Sequence, residues 1–335
     1  MAAERYQALG QRGGIARTAL WRQEEGTLVP VRRLGHVTFE TPDVERQVDH
    51  YTEFVGLNVV DRSKNRAILT TPAGEEALVL ERGAHERCTA LSLHVDPGFD
   101  LARAPVALQQ HGIACEQRGD ITPGLHNAVV FNDPNGTRVE LFTRHALGSQ
   151  SSGHAGVAPV KLGHVAFMVR DAKQMVDFYT GLLGFRVSDW AGDFFAFLRC
   201  GPDHHTVNFL RGDEQRMHHF AFELKDWAHV QNACDLFGQR DLPIIWGPGR
   251  HGIGHNIFLY HFDPDHRVVE FYAEMDQMKD ESLGYFEPRP WHRDRPQRPK
   301  VWDDFNAARL TWGPPPTPEY RATHAKRDAA PAAKT

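Results

Sequence analysis

With 335 residues, 41% of them hydrophobic and 24% charged, the chain has enough material for two domains with their own cores. A net charge of −5 gives no electrostatic case for binding nucleic acid or a membrane surface, and no apolar run approaches the roughly 20 residues a span needs. Four cysteines without CxxC spacing argue against a disulfide framework or a zinc site, and with no secretory signal visible the expected compartment is the cytoplasm.

Residues 1–32 give no clear pattern and are taken as an N-terminal arm. A first block runs over 33–145, and a small, Gly/Ser-rich linker over 146–160. A second block runs over 161–275. In it, His164, Ala166 and Met168 alternate with Val165, Phe167 and Val169, which predicts a strand. Asp171 is placed as an N-cap, Met175, Phe178, Tyr179 and Leu182 recur at helical spacing, and Gly184 stops the helix. Strands are expected over 194–200, 205–210 and 218–224, a helix over 226–238, and strands over 257–262 and 267–272. The stretch WGPGRHGIGH at 246–255 lacks the dinucleotide-loop spacing and reads as a flexible loop presenting His251. The tail, 276–335, holds Trp291, Trp302 and Trp312, so much of it should pack on the second block, and its last dozen residues should be disordered.

The two blocks are copies. Residues 34–62 and 162–190 are identical at 13 of 29 positions without a gap, and DPNGTRVELF at 133–142 matches DPDHRVVEFY at 263–272. Such a duplication is an internal control: architecture needs a residue in both copies, chemistry in only one.

The segment His251–Glu270, HGIGHNIFLYHFDPDHRVVE, sets His251 nine residues before Tyr260 and Glu270 ten residues after it. It resembles the signature of the extradiol ring-cleaving dioxygenases, whose usual form has Gly or Pro where His266 stands. The element order, βαβββ taken twice per copy, is similar to that of the vicinal oxygen chelate superfamily. The resemblance covers residues 33–275. It implies an α+β fold of two tandem domains, each of paired βαβββ modules forming a curled mixed sheet around a metal cleft. The first domain would be non-catalytic, the second catalytic, and the protein a homo-oligomer.

The resemblance implies His164, His219 and Glu270 as metal ligands. His36 and Glu140 are first-copy counterparts of two of them, but Ala90 stands where His219 does, so only the second copy has the 2-His-1-carboxylate set of non-haem Fe(II) oxygenases. Mn(II) suits the same ligands. His218 is the competing assignment for His219. The family pattern also implies His205 as acid–base residue, with His204 as its inert neighbour, and His251 and Tyr260 as partners of a substrate hydroxyl. A catechol must lose a proton to chelate a metal, and reduced dioxygen must gain one, which a near-neutral imidazole can manage. The expected reaction is extradiol cleavage of a catecholic ring with dioxygen, giving a semialdehyde of the muconate type. Trp190 and Phe194–Phe195 are candidate apolar walls, and Arg293 and Arg295 candidate contacts to an anionic substituent. One ring or two, Fe or Mn, and the side of cleavage stay open. The rivals are a hydroquinone-type dioxygenase or glyoxalase-like isomerase of the same fold, and a non-enzymatic small-molecule-binding protein.

Overall fold

Each copy of the repeat folds into its own mixed sheet. The computed structural model describes residues 29–119, 121–122, 125–143, 156–293 and 295–324. Most of the expected arm, most of the expected linker and the chain end expected to be disordered lie outside the described residues.

The first sheet comprises β1 (Val31–Thr41), β2 (Asn58–Arg62), β3 (Arg66–Thr70), β4 (Glu76–Arg82), β5 (Arg87–Val95), β6 (Cys115–Arg118), β7 (Ala128–Asn132) and β8 (Arg138–Thr143), in the order β2-β3-β4-β1-β5-β8-β7-β6. Helix α1 (Val44–Asp49), continued by a π-helical turn over His50–Val55, follows β1, and α2 (Ala104–Gln110) follows β5. The second sheet repeats this. It comprises β9 (Lys161–Val169), β10 (Arg186–Ala191), β11 (Phe195–Arg199), β12 (Val207–Arg211), β13 (Arg216–Glu223), β14 (Trp246–Arg250), β15 (Ile257–Phe262) and β16 (Val268–Ala273), with α3 (Ala172–Leu182) after β9 and α4 (Trp227–Gln239) after β13. Its order is β14-β15-β16-β13-β9-β12-β11-β10, and a strand from the tail, β17 (Lys300–Trp302), adds to the β10 edge. Each sheet is thus two βαβββ units side by side, an α+β architecture.

Two strands differ from expectation. β10 directly follows the helix and was not foreseen, because RVSDWA has no two-residue alternation. β14 was expected to be a loop, because Pro and Gly dominate WGPGR. It is an edge strand, the position in a sheet where a residue without an N–H is tolerated.

Residues shared by the copies turn out to be architectural. Asp43 and Asp171 cap α1 and α3. Gly163 must be glycine, because a Cβ there would lie 1.8 Å from the Tyr272 hydroxyl. The repeated Tyr and Asp cross between the copies: the Tyr51 hydroxyl donates to Asp263 at 2.8 Å and the Tyr179 hydroxyl to Asp133 at 3.1 Å. Phe39 and Phe220 meet at 4.9 Å between ring centroids, and one apolar core runs through both sheets.

Helices α5 (Phe305–Arg309) and α6 (Pro318–Ala322) complete the described tail. Among the described residues no helix is long and apolar enough to cross a membrane.

Candidate metal centre and its cavity

Strand register builds the site. β9, β13, β16, β15 and β14 are consecutive neighbours, and Cα pairing sets His164 opposite Ala221, Ala221 opposite Glu270, Glu270 opposite Tyr260 and Tyr260 opposite Trp246. One row across five strands therefore carries a ligand-type His, a ligand-type Glu and a phenol. His219 lies two residues from Ala221 on β13, on the same face of the sheet.

The three donor groups converge. His164 Nε2 lies 3.0 Å from Glu270 Oε2, His219 Nε2 lies 3.4 Å from the same oxygen, and the two imidazole nitrogens are 3.4 Å apart. All three residues are buried. Asn256, which the sequence reading missed, donates to Glu270 Oε1 at 2.9 Å and leaves Oε2 to the cluster. Burial, then the neighbouring His218 and His164, hold His219 well below the ordinary histidine range, so it is neutral with a lone pair to offer.

His164, His219 and Glu270 share one cavity of about 320 Å³ with His205, His251 and Tyr260. His251 Nδ1 donates to the Arg309 carbonyl at 2.5 Å, which leaves its Nε2 to accept from the Tyr260 hydroxyl at 3.1 Å. Burial is also the main cause that lowers His251, drives His205 well below its usual range and raises Tyr260 well above its own. At neutral pH the cavity therefore presents neutral imidazoles and an intact phenol. His205 stands against His164 with 4.4 Å between ring centroids.

The competing histidines have other partners. His218 Nε2 faces His324 Nε2 at 3.1 Å, and His204 Nε2 faces Asp189 at 3.3 Å. Phe194 and Phe195 line the cavity; Trp190, Arg293 and Arg295 do not. Trp190 packs on the main core while its neighbour Asp189 turns toward His204. Buried His292, held by Asp276, pins the turn that carries the two arginines: Arg293 stays exposed and Arg295 bonds the carbonyls of Pro290 and His292. The arginines that do reach the cavity, Arg309 and Arg321, come from α5 and α6.

A second group, His255, Asp276 and His292, also brings ligand-type atoms together. His292 Nδ1 accepts the Arg289 amide at 3.3 Å, so its proton is on Nε2, which donates to Asp276 at 2.8 Å. A proton there occupies the lone pair a metal would need, and this cluster is a hydrogen-bonded tether of the tail.

Register also supplies the first-copy counterparts. Val37 pairs Leu78 as Val165 pairs Val207, so Glu76 stands where His205 does. Thr38 pairs Ala90 as Ala166 pairs His219, and Val130 pairs Glu140 as Tyr260 pairs Glu270. The first copy therefore has Ala90, Glu76 and Val130 in the places of His219, His205 and Tyr260.

Comparison with known proteins gives the same picture. Residues 161–271 match the model of the Glyoxalase/Bleomycin resistance protein/Dioxygenase superfamily. Over that segment, a third of its length, the chain is similar to this superfamily. Among curated relatives, a 3-methylcatechol 2,3-dioxygenase of Pseudomonas putida is 26% identical over 260 residues, covering 72% of this chain and 89% of its own. A manganese-dependent 2,3-dihydroxybiphenyl 1,2-dioxygenase of Geobacillus genomosp. 3 is 25% identical over 305 residues, 81% of this chain and 93% of that relative. Of solved structures, the Mn(II)-bound glyoxalase from Novosphingobium aromaticivorans superposes with a TM-score of 0.76 at 25% identity, over 91% of this chain and 97% of that one. Homoprotocatechuate 2,3-dioxygenase from Arthrobacter globiformis shares the fold at 24% identity, with a TM-score of 0.75 over 90% and 93% of the two chains.

Proposed function

We propose that this protein is a metal-dependent extradiol dioxygenase that opens a catecholic ring with dioxygen in aromatic catabolism. The observation that carries the reading is the convergence of His164 Nε2, His219 Nε2 and Glu270 Oε2 within 3.4 Å of one another, in one cavity with His205, His251 and Tyr260. In this reading the module over 161–275 is catalytic and that over 33–145 is not, and the enzyme is a cytoplasmic homo-oligomer. The curated relatives named above act, by their names, on methylcatechol and dihydroxybiphenyl, and the chain covers about nine-tenths of each.

The donor set suits Fe(II), and Mn(II) nearly as well. A divalent ion held there supplies Lewis acidity and a path for an electron from an electron-rich ring to dioxygen. The chain's own residues do the rest. The Tyr260 hydroxyl, held by His251 Nε2, meets one catechol oxygen and keeps it in place. Neutral His205 takes a proton from the diol and returns it to reduced dioxygen, a contribution typically worth about 10²–10⁴-fold. Phe194, Phe195 and Phe197 wall the cavity, seat the ring and keep water out. Both oxygen atoms enter the product, a semialdehyde of the muconate type, so no external reductant is required.

The test is anaerobic loading with Fe(II) or Mn(II), then a catechol panel followed by oxygen uptake and yellow product. No uptake with any catechol, despite one bound metal per chain, overturns the reading. His219→Ala is expected to lose the metal; His205→Ala is expected to keep it and lose about 10²-fold or more in kcat.

A further inference from the structure

His205 does not stand alone. Asp189, fully buried on β10, accepts the Lys300 amide N–H at Oδ1, 2.8 Å, and the Trp302 indole N–H at Oδ2, 2.7 Å. His204 Nε2 lies 3.3 Å from that Oδ2, and His204 Nδ1 lies 3.0 Å from His205 Nδ1. His204 is fully buried, its ring 4.7 Å from that of Phe286, and it is not part of the cavity wall.

Partner chemistry assigns the protons along this line. An amide and an indole N–H only donate, so they hold the Asp189 carboxylate as an acceptor. His204 must then donate to it from Nε2. A neutral imidazole has one N–H, so His204 Nδ1 is a lone pair, and it accepts from His205 Nδ1. His205 is left with a bare Nε2 for the cavity it lines. The junction is sealed by Gly254: a Cβ there would lie 3.1 Å from His205 Cε1, 3.2 Å from His205 Nδ1 and 3.3 Å from His204 Nδ1.

We infer that Asp189 and His204 are positioning residues that fix the tautomer of His205, and that the C-terminal strand β17 completes this line when it docks on β10. The inference rests on the role proposed for His205. The logic is that by which a buried carboxylate sets the tautomer of a catalytic imidazole in hydrolytic triads, with a second imidazole interposed. It joins the tail to the chemistry, because Lys300 and Trp302 bring their donors to Asp189 only through β17.

Asp189→Asn is the discriminating change. The Oδ2 that faces His204 also accepts from Trp302, so the change is made in a Trp302→Phe background; there the amide keeps the Lys300 N–H on its oxygen and turns its NH₂ to His204 Nε2 as a donor. His204 must then carry its proton on Nδ1, and His205 on Nε2. The expected result is a fall in kcat of about 10²–10⁴-fold with the best catechol of the panel. Metal content, Tm and anaerobic catechol affinity should stay near those of the Trp302→Phe parent, which a purely structural role would not allow. ¹⁵N-histidine NMR of the full-length, metal-free protein reads the tautomer directly, with His205 assigned by its loss in His205→Asn. Wild type should show Nδ1–H with a bare Nε2, and Asp189→Asn the reverse. His204→Gln, which breaks the line without touching β10, serves if Asp189→Asn does not fold. Nε2–H on His205 in the wild type, or unchanged spectra and kcat in the variants, overturns the inference. If the wild type turns over no catechol, the NMR result still decides the line, so its failure and that of the dioxygenase reading are separable.

Discussion

At the scale of single residues, the two copies solve one problem in two ways. In the second, three ligand-type side chains and a neutral His205 leave a place for a cation. In the first, Glu76 occupies the place of His205 and lies 3.1 Å from His36 Nδ1, while Glu140 lies 3.5 Å from His36 Nε2. Burial alone would lower the His36 pKa, but the hydrogen bonds to Glu140 and Glu76 outweigh it and raise it to about 9. A protonated histidine thus supplies the charge that a metal would supply in the other copy. The folded pKa lies above the ordinary 6.5, so this stabilisation is complete below pH 6.5 and is lost as pH rises through 9. Calorimetry should show the wild type losing Tm from pH 6.5 to 9 more steeply than His36→Ala. That variant, which leaves Glu76 with only His94 and Glu140 with only Arg138, should cost about 1.5–3 kcal/mol near pH 6.5 without changing metal content. The ligand set was legible in the sequence because Ala90 breaks the repeat at one position. The Glu76–His205 exchange was not, because strand register and not similarity reveals it.

At the scale of elements, helices and central strands were readable from periodicity and caps, and their expected ranges fall within two residues of those observed. The sheet edges were not. β10, β14 and β17 pair at or beside an edge, where side chains need no alternating pattern, and β14 tolerates Pro248 for the same reason. The tail's tryptophans signalled packing but not where. Trp302 meets Asp189, Trp246 donates to the Pro314 carbonyl at 3.1 Å, and Tyr320 from α6 packs 5.2 Å from the ring of Tyr260. The tail is therefore one wall of the cavity and not an appendage. A chain ending at Arg298 loses β17, α5 and α6 but none of the row His164–Glu270–Tyr260. It is expected to keep its far-UV circular dichroism and about one metal per chain. KM for the preferred catechol should rise about tenfold or more, since the loss of one good wall, roughly 1.4 kcal/mol, is a factor of ten. Loss of the metal with the tail would show instead that the tail holds the first sphere together.

At the scale of the whole molecule, a shared apolar core, the bond from Arg267 to the Glu40 carbonyl and a pair of crossed hydrogen bonds join the copies, and the crossed bonds are unequal. Asp263 accepts from Tyr51 but also from the Arg267 guanidinium at 2.9 Å, a pairing that survives Tyr51→Phe. Among the described residues no cation pairs with Asp133: Tyr179 donates to one oxygen and the Asn135 and Thr137 amides to the other. Burial raises its pKa from 3.8 to about 6, against the lowering effect of those bonds. A raised folded pKa means that the carboxyl favours the fold while protonated, near pH 4, and that this contribution is lost as pH rises through 6. Tyr179→Phe removes one of the bonds that stabilise the ionised form, so its cost should depend on pH. About 1.5–3 kcal/mol is expected at pH 8, where a charged acceptor loses its donor, falling toward 1 kcal/mol or less at pH 4–5. Burial raises the Asp263 pKa too, against the Arg267 guanidinium, so Tyr51→Phe should cost about 0.5–1.5 kcal/mol with a smaller pH dependence than Tyr179→Phe, because Arg267 keeps Asp263 paired. Thermal unfolding of both variants at pH 4.5 and pH 8 compares them directly. Equal costs at both pH values would mean that the Tyr179–Asp133 contact is not what senses the charge on Asp133, and that the crossed bonds serve only to fill space between the copies.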